Sequence, residues 1–76
     1  MNIEELRRFF DINYVPKDLY SLNGGFPSEA YCIDKVEEQW EVYYSERGKK
    51  SQVVKFDTEN DACLYLQSMI RKVLKL

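Results

Sequence analysis

Apolar residues recur at two periods along this chain, and the places where the period changes divide it into elements. Ile3, Leu6, Phe9 and Phe10 fall on one stripe at helical spacing, with Glu4, Arg7, Arg8 and Asp11 on the opposite side. That spacing predicts a first helix. Asn2 stands at its N-cap and Glu5 follows three residues on, the arrangement of a capping box. Asn13 is expected to stop the helix in a left-handed conformation, and Pro16 bars its continuation. From there to Leu22 the chain reads as irregular, with room for a short strand near Leu19–Leu22. Asn23-Gly24-Gly25 tolerates positive φ and marks a turn. The period then shortens to two. Strands are expected from about Glu29 to Val36, from about Gln39 to Ser45, and from Ser51 to Phe56, with Arg47-Gly48-Lys49-Lys50 making the last turn. Helical spacing returns with Ala62, Leu66, Met69, Ile70 and Val73. Asp57 or Thr58 caps this final helix, whose first turn is acidic and whose last turn is basic, as the helix dipole favours.

The expected fold is a single α+β domain spanning residues 1–76, in the order α-β-β-β-α. Short turns between sequential strands imply an antiparallel sheet, with both helices on one face. Strand alternation assigns Trp40, Val42, Tyr44, Val54 and Phe56 to the helix side, together with the small residues Ala30 and Cys32. Tyr31, Ile33, Glu41, Tyr43, Val53 and Lys55 are expected to face away. A slip of one residue would exchange the two sets.

Composition narrows the function. The 76 residues hold no histidine and two cysteines, Cys32 and Cys63, without CxxC spacing. A structural zinc site wants four Cys or His ligands, so neither metal nor cofactor is expected. Both cysteines lie in apolar periodic segments and read as reduced core thiols, in keeping with a cytoplasmic protein. No apolar run approaches the roughly 20 residues of a membrane span. The opening MNIEELRRFF puts acids and arginines where a secretory signal needs an apolar stretch.

The net charge of −2 conceals blocks: residues 28–46 carry six carboxylates and one lysine, and residues 47–56 carry four cations and no acid. An acidic hairpin followed by a basic turn is a dipolar surface. Nucleic-acid binding wants one dominant basic face instead.

Catalysis finds little support. Without histidine, acid–base work would fall to carboxylates, lysine or tyrosine, and the Glu37-Glu38 pair sits in a turn open to water. Cys63 lies near a helix N-terminus, which can activate a thiol, but Glu59 and Asp61 oppose a thiolate there. The α-β-β-β-α order is also that of the double-stranded-RNA-binding domain. That module places lysines at the start of its last helix, where this chain reads FDTENDAC.

The outward patch of Tyr31, Ile33, Tyr43 and Val53, flanked by Glu29, Glu41 and Lys55, suits a protein interface, in which tyrosine is enriched. The segments YSLNGGFPSEAYC, WEVYYSERGKK and FDTENDAC resemble small immunity proteins of bacterial polymorphic-toxin and contact-dependent growth-inhibition systems, over roughly Leu19 to Leu66. The resemblance implies a cytoplasmic protein that binds a cognate toxin domain, often a nuclease, and blocks it without catalysis. It brings no catalytic residues. Strand parity and charge make Glu29, Tyr31, Glu41, Tyr43, Glu46 and Arg47 the candidate partner-binding residues. A homodimeric adaptor using the open sheet face, and a double-stranded-RNA binder, are the alternative readings.

Overall fold

Local signals at both chain ends set the two helices in the computed structural model, which describes all 76 residues. Helix α1 runs Ile3–Ile12 behind a complete capping box: Glu5 N donates to Asn2 Oδ1 at 2.9 Å, and Asn2 N donates to Glu5 Oε1 at 3.1 Å. Helix α2 runs Glu59–Leu74, capped by Thr58, whose Oγ1 accepts from Asp61 N at 3.1 Å. The two are tied at their N-terminal ends, where Glu59 accepts from the free Ile3 amide at 2.9 Å. One expected detail differs. Asn13 keeps φ at −94° and bonds the Phe9 carbonyl through its side chain, while Tyr14 takes the left-handed conformation at φ 54°.

Between the helices lie a 3-10 turn at Lys17–Leu19 and four strands: β1 (Tyr20–Ser21), β2 (Ala30–Val36), β3 (Gln39–Glu46) and β4 (Lys49–Phe56). The sheet order is β1-β2-β3-β4. β2, β3 and β4 are antiparallel neighbours, but β1 pairs parallel to β2, so the sheet is mixed rather than wholly antiparallel. The α+β architecture is otherwise as expected. Leu6, Phe10, Val15, Ile33, Val42, Ala62, Cys63, Leu66 and Ile70 form the core beneath the helices. α2 lies across β2, β3 and β4, and α1 packs on α2.

The register corrects the expected face of β2. Its turn into β3 is the two residues Glu37-Glu38, so Val36 pairs with Gln39, Ile33 with Val42 and Tyr31 with Tyr44. A two-residue turn places odd positions of β2 opposite even positions of β3. Once Val42 points at the helices, Ile33 and Tyr31 must do so as well. Ala30 and Cys32 therefore face away, beside Tyr43 and Ser45. Cys32 and Cys63 are both free and fully buried, on opposite sides of the sheet. Farther along, a bulge between Val42 and Tyr44 leaves Gln52 left-handed at φ 54°. The bulge keeps Val54 and Phe56 on the helix side, opposite Val42 and Trp40.

The face turned away from the helices is not open. A parallel neighbour cannot be reached by a hairpin, so the chain must return along the sheet before β2 can begin. The helices occupy one face, against which Leu22 also packs, and residues 23–29 cross part of the other.

Candidate functional site

The crossing segment accounts for two of the expected partner-binding residues. Gly24 is seated so closely that a Cβ there would lie 2.4 Å from Asp34 Cγ. The Tyr43 hydroxyl donates to the Gly25 carbonyl at 2.7 Å, and its ring is fully buried. Burial, then the neighbouring Cys32 and Asp34, raise the Tyr43 phenol above its ordinary pKa. Lys50 Nζ sits 4.6 Å from the Tyr43 ring centroid and 5.9 Å from that of Phe26, and donates to Glu41 Oε1 at 3.0 Å. Glu41 is 8% exposed. The expected open placement of Tyr43 and Glu41 is thus corrected: Tyr43 lies under the loop and holds it, and Glu41 is buried against Lys50.

The other four candidates gather at the opposite side of the sheet, toward the turn between β3 and β4. The Tyr31 and Tyr44 rings, directly paired across β2 and β3, have centroids 4.8 Å apart and are half-buried. Tyr20 on β1 pairs with Tyr31, and its ring lies 4.5 Å from Phe10. Three tyrosines on adjacent strands thereby run from the core toward solvent. Glu29, Glu46 and Arg47 are exposed. Loss of hydration, then the charges of Glu29 and Glu46, raise the Tyr44 phenol, which places both carboxylates beside the pair. Neither acid belongs to any of the ion pairs, which join Met1 to Glu5, Arg7 to Glu4, Lys17 to Asp11 and Lys50 to Glu41. Arg47 is left-handed at φ 52° in the turn that follows.

Tyr44 is the residue that sequence reading missed. Its assignment to the helix side suggested a core position, yet the helices leave it half-exposed. The odd-to-even pairing across a two-residue turn was the available signal, since it places Tyr44 opposite Tyr31.

The surface depressions are lined mainly by charged and polar groups. One of about 400 Å³ lies among Gln67, Ser68, Arg71, Lys72, Lys75 and Leu76. Another of about 360 Å³ lies among Val36, Glu37, Glu38, Gln39, Glu41 and Lys55. Small-molecule sites are mostly apolar with a few convergent polar groups, and neither depression has that character. No helix is long and apolar enough to cross a membrane. No family model, curated protein or solved structure matches the chain.

Proposed function

We propose that this chain is an immunity protein: it binds a cognate bacterial toxin domain in the cytoplasm and neutralises it by occupying its surface, without catalysis. One observation carries the reading. The half-buried Tyr31–Tyr44 pair is flanked by two exposed carboxylates, Glu29 and Glu46, that no ion pair engages. Tyrosines of this kind offer rigid area and a hydroxyl for a partner. Unpaired acids beside them favour a basic surface such as the phosphate-binding cleft of a nuclease, and they speed the encounter. Double-stranded-RNA binding fits poorly, since the first turn of α2 presents Glu59 and Asp61 where phosphates would dock.

The test is co-expression with a candidate toxin domain encoded by an adjacent gene, scoring growth and co-purification. Rescue of growth together with a stoichiometric complex is expected. Growth arrest with no complex would overturn the proposal.

A further inference from the structure

Residues 23–29 cover part of the outer sheet face, leaving Val53 and Lys55 exposed, yet they form no backbone–backbone hydrogen bond: all such bonds lie within helices and strands or at Asn2–Leu6, Phe9–Asn13, Phe10–Val15, Asp11–Tyr14, Pro16–Leu19, Thr58–Ala62 and Arg71–Leu76. The attachments are few and come from side chains. Tyr43 donates to the Gly25 carbonyl at 2.7 Å, and Ser21 Oγ donates to the Gly24 carbonyl at 2.8 Å. Lys50 lies between Phe26 and Tyr43. Beneath the loop, Ala30, Cys32, Tyr43 and Ser45 are wholly buried. Both ends of the segment contain left-handed residues, Gly24 at φ 70° and Gly25 at φ 83° near the start and Glu29 at φ 52° at the finish. Ser45 Oγ is buried without any hydrogen-bond partner.

We infer that residues 23–29 are a hinged cover which opens as a unit, exposing the strip Ala30, Cys32, Tyr43 and Ser45 while Leu22, the helices and β2–β4 stay in place. Segments open below the global unfolding free energy where they lack backbone ladders and rest on few contacts, and this segment has that character. Opening breaks two side-chain bonds to backbone carbonyls and one cationic contact. It also returns water to Ser45 Oγ, whose unpartnered burial disfavours the closed state. The strands hold residues 23–29 only through the Tyr43 and Lys50 side chains, and their own backbone ladder does not involve the loop, so it need not be disturbed. The inference does not depend on the identity of any partner.

The two cysteines make the test. Cys32 lies under the cover, and Cys63 lies in the core on the other side of the sheet. Native protein would be exposed to a thiol-alkylating reagent and each site followed by peptide mass spectrometry. Each rate would be divided by that of the same cysteine in denaturant, which cancels intrinsic differences between the thiols. Cys32 is expected to be protected at least about tenfold less than Cys63. Tyr43→Phe, which removes the hydroxyl's bond to Gly25 and its contact with the Cys32 thiol while keeping the ring, is expected to lower Cys32 protection about fivefold and to leave the ratio for Cys63 nearly unchanged. Equal protection of the two cysteines would overturn the inference, because both would then report global unfolding. So would unequal protection that Tyr43→Phe leaves untouched, or that it lowers in parallel at both sites.

Discussion

Tyr43 joins two strands and a loop through one side chain. Its ring fills the space under residues 23–29, and its hydroxyl satisfies the Gly25 carbonyl. Tyr43→Ala removes both, and is expected to cost about 3–5 kcal/mol, as for other buried aromatic truncations. Trp40 is only half-buried, at the edge of the helix-side core, so Trp40→Ala should cost roughly half as much. Urea unfolding of the two variants checks the order, and a larger loss for Trp40→Ala would contradict this register. The neighbouring glycines make a second contrast. Gly24 is left-handed and seated against Asp34, whereas a Cβ on Gly25 meets nothing within 4 Å. Gly25→Ala should cost about 1 kcal/mol from backbone strain alone, and Gly24→Ala at least about twice that, because Asp34 must also move. Equal losses in thermal melts would mean the loop does not sit on Asp34.

Among the elements, those with self-contained signals were legible in the sequence. The capping box at Asn2 and Glu5, the Thr58 cap and the Gly-containing turns each act within a few residues, so periodicity and turn chemistry located both helices and three strands. Asn2→Ala and Thr58→Ala should each cost about 1 kcal/mol, measured by equilibrium unfolding. A loss near zero at Thr58 would mean the α2 start is held by the Glu59–Ile3 contact alone. What depended on long-range placement was not legible. The parallel pairing of Tyr20–Ser21 with β2 gives no periodic signal over two residues. It nevertheless forces the return segment across the outer face, burying Tyr43 and Cys32. Small residues at Ala30 and Cys32 suggested a close helix, but the close neighbour is a loop. The tyrosine pair at the hairpin end was half legible: Tyr31 was singled out, while Tyr44 was assigned to the core. At the sheet edge, β4 carries Lys49, Lys50 and Lys55 and a bulge at Gln52. Lysines and bulges discourage edge-to-edge pairing.

For the molecule as a whole, buried thiols and a buried phenol set the response to alkali. Burial, then the charge of Glu59, raises Cys63 from 9.0 to about 11. Cys32 and Tyr43 are also raised, chiefly by burial. A raised acid keeps its proton longer in the folded state than in the unfolded chain, so the unfolded state releases protons first. The stabilisation is complete below about pH 9 and falls as pH rises from there through about 11. The melting temperature should drop across that interval, and Cys63→Ala should make the drop shallower. A melting temperature that holds constant to pH 11 would contradict the buried, protonated state of these groups.

The two faces of the sheet divide the work between them. One is partly covered by a loop that Tyr43 and Lys50 fasten. The other leaves Tyr31 and Tyr44, with Glu29 and Glu46, beyond the reach of the helices. The proposed neutralisation of a toxin rests on that second region. Exposed charges contribute little to folding, and half-buried rings can be truncated without dismantling the core, so binding can be separated from stability here. The most direct measurement is the binding kinetics of the toxin domain with the wild-type chain, the Tyr31→Ala/Tyr44→Ala variant and the Glu29→Lys/Glu46→Lys variant, at two salt concentrations. Loss of the tyrosines is expected to speed dissociation at least about tenfold, and charge reversal to slow association and flatten its salt dependence. Unchanged kinetics for both folded variants would place the partner elsewhere and contradict the account.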